Sequence, residues 1–586
     1  MDALLPTSAL HDASLDTSLL SHYREYCRTY EHETVLQGGL RGADEAIASL
    51  LGMGSNVAHC VLPNGKMAPC GPGNQMCPPG PFGRDTPQYH VRDLSCALND
   101  PNGPVFDPEH GVYHLHYQNH VGCRAGRTYG HAVSRDFVHW AHMPVSIWND
   151  RPYDERAIFT GSATVVDGKV AQVYPGLCHP ERSDDCPGVT NLAIAVPADS
   201  SDPLQTNWTK DTFAVNPIAN DTKRDPSTAW RTPDGEWRMT TYDTTVFGSM
   251  DFKKWYRIGK QPGFKGGECP SFFPLPRTTP GAGSAPPGAA TPTHVFKRSH
   301  QGKDWMQVGT YVAGPPKANG NWTALLDEVK IDAGRFYASK DFYDPVKGRR
   351  INWGWAQFKP PGWDWSLSTM TLPREVTWHP ELQQLVHSPV EEQNQLRGDV
   401  IGSLWGHALV ANVTTSLKLP ARLGNQSEVR VSFERPAEAV RLSVNVMVDR
   451  PSANGTEFYI NYEPGATKVG VGRGSGDCHY MLSLLPGDKT IDLALYVDNT
   501  FTEAYWMGGR VAMTVDTETS GGHDDVTISA SQSGTTVSAT VWQVGSIWVT
   551  PEAVKQTPRR DDPDDNPDAA SRRNSHQKIR GRPEHV

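Results

Sequence analysis

The chain has 586 residues, more than one ordinary core holds, so two domains with extensions are expected. With 37% hydrophobic and 20% charged residues, its composition is that of a globular protein. A formal net charge of −10 leaves no broad basic surface to displace counterions from phosphates, which argues against a nucleic-acid partner. No apolar run approaches the ~18 residues of a membrane span, so no membrane partner is expected either.

The opening MDALLPTSALHDASL has neither the basic n-region nor the apolar h-region of a signal peptide. Leu15, Leu19, Tyr23, Tyr26 and Tyr30 recur at helical spacing and predict an amphipathic helix. Residues 54–88 are rich in Gly, Pro and Cys and read as an irregular, cross-linked connector. The spacing of Cys60, Cys70 and Cys77 matches no C-x-x-C pattern, and three ligands leave a zinc site incomplete, so no metal is expected there. Residues 1–85 are therefore an N-terminal extension.

From about residue 89 the pattern becomes short strands separated by turn signals, which predicts an all-β domain over 86–392. In GVYHLHYQ, Tyr113, Leu115 and Tyr117 share one face of a strand while His114, His116 and Gln118 share the other. His114 and His116 resemble half of a metal site, but with no third ligand in view they read as hydrogen-bonding or packing residues. Cys178 and Cys186 flank a polar loop and suit a disulfide. The stretch from Thr278 to Thr293 is almost all Gly, Pro, Ala, Ser and Thr, a flexible surface insertion.

Over 393–556 the strands alternate cleanly. Val440, Leu442, Val444, Val446 and Val448 form one face, and Ile491, Leu493, Leu495 and Val497 repeat the pattern, as a β-sandwich requires. Residues 557–586 are Arg, Asp, Pro, Asn and Ser and are expected to be a disordered tail. No clean period of 40–50 residues is visible, so the pattern alone does not demand a propeller. Sequons at Asn207, Asn220, Asn321, Asn412, Asn425 and Asn454 and the 10 cysteines favour an oxidising compartment.

Three segments carry candidate chemistry. In ALNDPNGPVFDP, Asp100 precedes a proline that biases it toward extended backbone; a solvated turn Asp is the plain alternative. In KRDPSTAW, Arg224 stands beside Asp225 and would keep it ionised, able to hold sugar hydroxyls; a surface ion pair is the alternative. In KGGECPSFFPLP, Glu268 precedes Phe272 and Phe273, rings that would desolvate the carboxyl and suit it to general-acid work; a solvated strand-entry Glu is the alternative. Cys269 has no His/Asn constellation to support a thiol nucleophile.

Together these segments complete a pattern. The chain resembles glycoside hydrolase family 32, in particular its plant-type acid invertases and fructan-active relatives, from about Tyr89 to Met513. The resemblance rests on NDPNG, YGHAVSRDFVHW, IFTGSAT, RDPSTAWRTPDGEWR, GGECPSFFP, GRFYASKDFYD, RRINWGWA, LPREV and VDNTFTEAYWMGGRVAMT, in order. It implies an all-β fold, a five-bladed β-propeller followed by a C-terminal β-sandwich, with the active site at the propeller axis. It assigns Asp100 as nucleophile, Glu268 as acid/base and Asp225, with Arg224, as transition-state stabiliser. Asn99, Gln118, Phe159 and Ser162 fall on positions lining the fructose pocket, with Tyr337, Asp341 and Trp355 in later motifs near it. The implied reaction is retaining hydrolysis of sucrose or other β-fructosides without a cofactor or metal, in a secreted, cell-wall or vacuole-like compartment. The oligomeric state is left open.

Ala97 stands where relatives carry an aromatic, Phe159 replaces a Trp, and QFKPPGWD replaces an acidic stretch. Fructosyl transfer and non-catalytic sugar binding therefore remain as alternatives.

Overall fold

The structure, a computed structural model, describes residues 87–560 apart from 94–97, 120–126, 150, 155, 179–189, 215–222, 358–367, 451, 473–477 and 518–523, together with the short strands His59–Val61 and Met67–Pro69. The expected helix over 15–30, Ala97, Cys186 and most of QFKPPGWD lie outside these residues.

Five antiparallel sheets follow one another along the chain and are the blades of a β-propeller. Blade 1 holds Leu98–Pro101, Val112–Asn119, Thr128–Ser134 and Ala141–Ile147 in that spatial order, with Val105–Asp107 added beside the second strand. Blade 2 runs from Ala157–Ile158 and Ser162–Val166 out to Trp208–Ala214. Blade 3 starts at Trp230–Arg231, blade 4 at Glu268–Pro274 and blade 5 at Phe336–Asp344. The first strands of blades 1, 4 and 5 carry Asp100, Glu268 and Tyr337, and Asp225 lies just ahead of blade 3, so these segments meet through Cys269 and Glu268. No repeat was readable because each blade packs with different side chains.

Aromatic residues fill the seams. Phe137 lies 4.6 Å from Tyr113 and 5.2 Å from Trp353, and Trp140 lies 5.6 Å from Trp353, which closes blade 1 on blade 5. Each such ring removes roughly 150–250 Å² from water, an upper contribution of about 4–6 kcal/mol at ~25 cal/mol per Å². Phe272 joins Phe264, Phe296 and Trp322 in one core cluster, and Phe273 joins Phe336 and Val376 in another.

The sandwich follows as two six-stranded sheets. Its core is the alternating set read from the sequence: Leu442, Val444, Ile491, Leu493, Leu495 and Val497 pack with Val526 and Ile528. Tyr496, Tyr505 and Ala512 on one sheet pack with Tyr89, Val91 and Leu372 of the propeller side. Beyond helix Pro551–Gln556 the first residues of the polar tail dock on the propeller, where Arg560 reaches Glu392 at 3.1 Å. The 278–293 segment is irregular and mostly exposed, yet tied down by Thr279 N–H donating to Trp378 O at 2.8 Å.

Candidate active site

Three inner strands lose register where the motifs lie. Irregularities fall between Leu98 and Pro101, between Glu268 and Ser271, and between Tyr337 and Lys340. Such bulges re-aim side chains out of the ladder. Asp225 (φ 55°) and Cys269 (φ 48°) also adopt the left-handed region, strained for residues with a Cβ and held only by their surroundings.

Asp100 is partly buried and is held from three sides. Its Oδ1 accepts from Asn99 Nδ2 at 3.0 Å, and its Oδ2 accepts from Thr160 Oγ1 and from Cys269 Sγ at 3.5 Å. Gln118 ties two of these donors together, accepting from Asn99 Nδ2 at 2.9 Å and donating to Thr160 Oγ1 at 2.6 Å. Thr160 and Cys269 were not singled out as site residues from the sequence. The signal for Thr160 was its place inside IFTGSAT, beside a glycine with a packing reason: a Cβ on Gly161 would stand 2.3 Å from Val173 O and 2.5 Å from Tyr129 Oη. Cys269 fails as a nucleophile, since burial pushes its thiol well above the usual range, with Asp100 and Asp225 adding to the shift.

Asp225 is 4% exposed. Cys269 N–H donates to its Oδ2 at 3.2 Å and Arg224 Nε stands 3.6 Å from the same oxygen. The sequence reading had Arg224 keep Asp225 ionised. Instead burial dominates: it pushes the carboxyl up to about 7 against Arg224 and Lys340, with Asp100 and Glu268 adding to the rise. Arg224 is better placed for Glu268, donating from Nη2 to Oε1 at 2.8 Å, while Tyr337 Oη donates to Oε2 at 2.7 Å.

Phe272 and Phe273 do not desolvate Glu268. Both rings turn into seams between blades, and the Glu268 side chain is 42% exposed. The irregularity between Glu268 and Ser271 shifts the alternation by one residue, so the facing of the rings does not follow from their spacing to Glu268.

The other expected residues divide. Phe159 is partly exposed, with the Arg127 guanidinium 5.3 Å from its ring. Ser162 Oγ donates to Pro226 O at 2.7 Å and so braces the Asp225 turn. Asp341 is buried in an ion pair with Arg350 at 2.8 Å, and no contact joins it to the three carboxylates. Trp355 lies one strand outward, opposite Tyr337.

The expectation that His114 and His116 lack a third companion is overturned. His131, on the neighbouring strand, brings a ring nitrogen within 4.8 Å of nitrogens of both.

The profile of the N-terminal domain of glycosyl hydrolases family 32 matches residues 90–389. The chain belongs to glycoside hydrolase family 32. Its relatives include the vacuolar acid β-fructofuranosidase 4 of Arabidopsis thaliana, 28% identical over 559 residues, covering 80% of this chain and 81% of that protein. An insoluble-isoenzyme β-fructofuranosidase of the same plant is 28% identical, covering 73% of this chain and 88% of that one. Fructan 1-exohydrolase IIa from Cichorium intybus has a similar fold, with a TM-score of 0.67 at 24% identity over 80% of this chain and 99% of that one. Exo-inulinase from Aspergillus awamori gives 0.63 at 20% identity over 80% and 100%. As a family 32 member the chain is a glycoside hydrolase with the propeller and sandwich that the motif order implied.

Proposed function

We propose that this chain is a retaining β-fructofuranosidase that hydrolyses sucrose and small fructans through a covalent fructosyl intermediate. The observation that carries the reading is the meeting of Asp100, Asp225 and Glu268 from three different blade segments around Cys269, which is bonded to the first two and adjacent to the third. The relatives' names, acid β-fructofuranosidase and fructan 1-exohydrolase, support the substrate class.

In this reading Asp100 attacks the anomeric carbon of the fructosyl unit while Glu268 protonates the departing glycosidic oxygen. Glu268 then takes a proton from the water that releases fructose. Asn99 and Thr160 fix the Asp100 carboxylate so that little reorganisation accompanies attack. Arg224 and Tyr337 fix Glu268. Asp225, neutral in acid before substrate enters, holds ring hydroxyls by hydrogen bonds, and Asp100 supplies the charge that meets the developing cation. Exposed sequons at Asn207, Asn321, Asn412 and Asn454, together with a disulfide at Cys178, support a secreted, cell-wall or vacuole-like compartment.

Incubation with concentrated sucrose tests the reading. Equal glucose and fructose are expected, with no turnover in Asp100→Ala. Glu268→Gln should lose sucrose cleavage yet retain fructosides whose leaving group departs without protonation. Excess glucose with trisaccharide would instead mark a transferase, and absence of any product would overturn the assignment.

A further inference from the structure

His114 and His116 stand two apart on strand Val112–Asn119, and therefore on one face. His131, on the antiparallel strand Thr128–Ser134, is the register partner of His116. Two histidines from one strand and one from its neighbour put three imidazoles on a single patch of sheet. All three are fully buried. Trp208 of blade 2 packs edge-on against His116 with centroids 5.1 Å apart, so the patch lies in the seam between blades 1 and 2.

A cluster of this kind is costly as mere packing. Among the described residues, His114 Nε2, His116 Nε2 and His131 Nδ1 are buried with no hydrogen-bond partner. Each such group costs about 1–3 kcal/mol in lost hydration. Three apolar residues would fill the same space without that cost. The pattern of partners is that of ligands waiting to be shared: His114 Nδ1 and His131 Nε2 share a hydrogen bond of 3.0 Å, and His116 Nδ1 is fixed by Ser146 Oγ at 2.9 Å.

We propose that His114, His116 and His131 form a mononuclear site for a zinc-class divalent metal in the seam between blades 1 and 2. Imidazole nitrogen suits zinc, cobalt, nickel and copper, and one buried water completes the four ligands of a closed site. The metal sits where His114 Nδ1 and His131 Nε2 now share a proton. These atoms are 3.0 Å apart, close to the about 3.4 Å between two nitrogens of a tetrahedral zinc bonded at 2.0–2.1 Å. The shared proton moves to the far nitrogen of its own ring, so the cluster keeps its three protons. His116 Nε2, already without a partner, becomes the third ligand, with Ser146 holding its other nitrogen. His116 now stacks on His131 at 4.2 Å with planes 6° apart, so its ring tilts out of the stack to reach the metal.

The site is structural in character, because it is closed to solvent and shares no atom with the three carboxylates. It nonetheless bears on them. Gln118, two residues beyond His116 on the same face, orders Asn99 and Thr160 around Asp100. Pinning this strand pins the residues that aim the nucleophile.

The test is metal content of the full chain, produced with Zn²⁺ in the medium, passed over a chelating resin and measured by mass spectrometry. Wild type should carry one more zinc per chain than His116→Phe, which keeps a flat ring against Trp208. Added Zn²⁺ should raise the melting temperature of wild type after chelator stripping but not that of the variant. Comparison with the variant removes any contribution from zinc bound elsewhere. Should His116→Phe fail to give a native circular dichroism spectrum, His131→Gln is read in the same way. Equal zinc content in wild type and a folded variant would overturn the site, as would a wild type free of zinc.

Discussion

Thr160 shows how much a single hydroxyl is asked to do. It donates to Asp100 Oδ2 and accepts from Gln118, so its removal leaves that carboxylate oxygen to the weak Cys269 Sγ donor and orphans a buried amide. A hydrogen bond to a charged group contributes about 1.5–3 kcal/mol. Thr160→Val should therefore lower kcat/KM on sucrose by about 10- to 100-fold, while the orphaned amide lowers stability by about 1–3 kcal/mol. Initial rates decide this, and an unaltered kcat/KM would deny Thr160 any part in aiming the nucleophile. Asp225 gives a prediction in pH. Burial raises its carboxyl from 3.8 to about 7, so the fold favours the neutral form. Its contribution to stability is complete below pH 3.8 and is lost as pH rises through about 7. The melting temperature of wild type should fall between pH 4.5 and 7.5 by more than that of Asp225→Asn. Equal falls would show that Asp225 does not titrate in that window. At this scale the sequence was readable where chemistry sits in a motif: Asp100, Asp225 and Glu268 all lie in such segments. It misled where surroundings decide, because neither the depth of Asp225 nor the direction of the Phe272 ring is local information.

Strands explain why these residues meet. Pro226 is the meeting point of three elements: its carbonyl accepts from Ser162 on blade 2 at 2.7 Å and from Lys340 on blade 5 at 3.1 Å. Lys340 is buried, and it also opposes the rise of the Asp225 carboxyl. One ammonium thus braces the Asp225 turn from across the axis and supplies positive charge to it. Lys340→Met should keep the hydrophobic stem but cut kcat about tenfold, leaving KM within about twofold. It should also move the Asp225 titration to higher pH, because one of the two cations opposing protonation is gone. An unaltered kcat or an unmoved pH profile would assign Lys340 to packing alone. Register is the part of this that sequence reading could not reach. His131 was visible as a residue, but its place opposite His116 depends on how two strands pair. The bulges at Leu98, Glu268 and Tyr337 are likewise products of pairing. The sandwich strands were legible because their alternation is regular, whereas a propeller strand such as Val112–Asn119 alternates apolar and polar residues yet is buried on both faces, so its alternation does not mark a wet side.

At the scale of the whole molecule, propeller and sandwich are joined by a buried polar latch. His90, just before blade 1, hydrogen-bonds Asp498 at 2.8 Å and Glu503 at 3.0 Å, both on the sandwich. Glu503 also accepts from Leu372 N–H at 2.6 Å and from Arg374 Nη2 at 2.6 Å, on the propeller. Burial pushes the Glu503 carboxyl up, but Arg374 and His90 outweigh it and hold it at about 2, below the ordinary 4.5. Its contribution is present above pH 4.5 and fades as pH falls through about 2. Burial lowers His90, yet Asp498 and Glu503 outweigh that and raise it above 6.5. The His90 contribution is complete below pH 6.5 and is lost as pH climbs through the raised value. The two windows overlap between pH 4.5 and 6.5, so the latch is tightest in mild acid. Wild type should lose more melting temperature between pH 5.5 and 8.5 than His90→Gln, which keeps hydrogen-bonding capacity but cannot take up the proton. Glu503→Leu leaves Arg374 buried with Asp332 and Thr514 and His90 with Asp498, and should cost about 3–5 kcal/mol, with new proteolytic cleavage near the interface at all pH values. If wild type and His90→Gln lose the same melting temperature, protonation of His90 does not hold the two domains together.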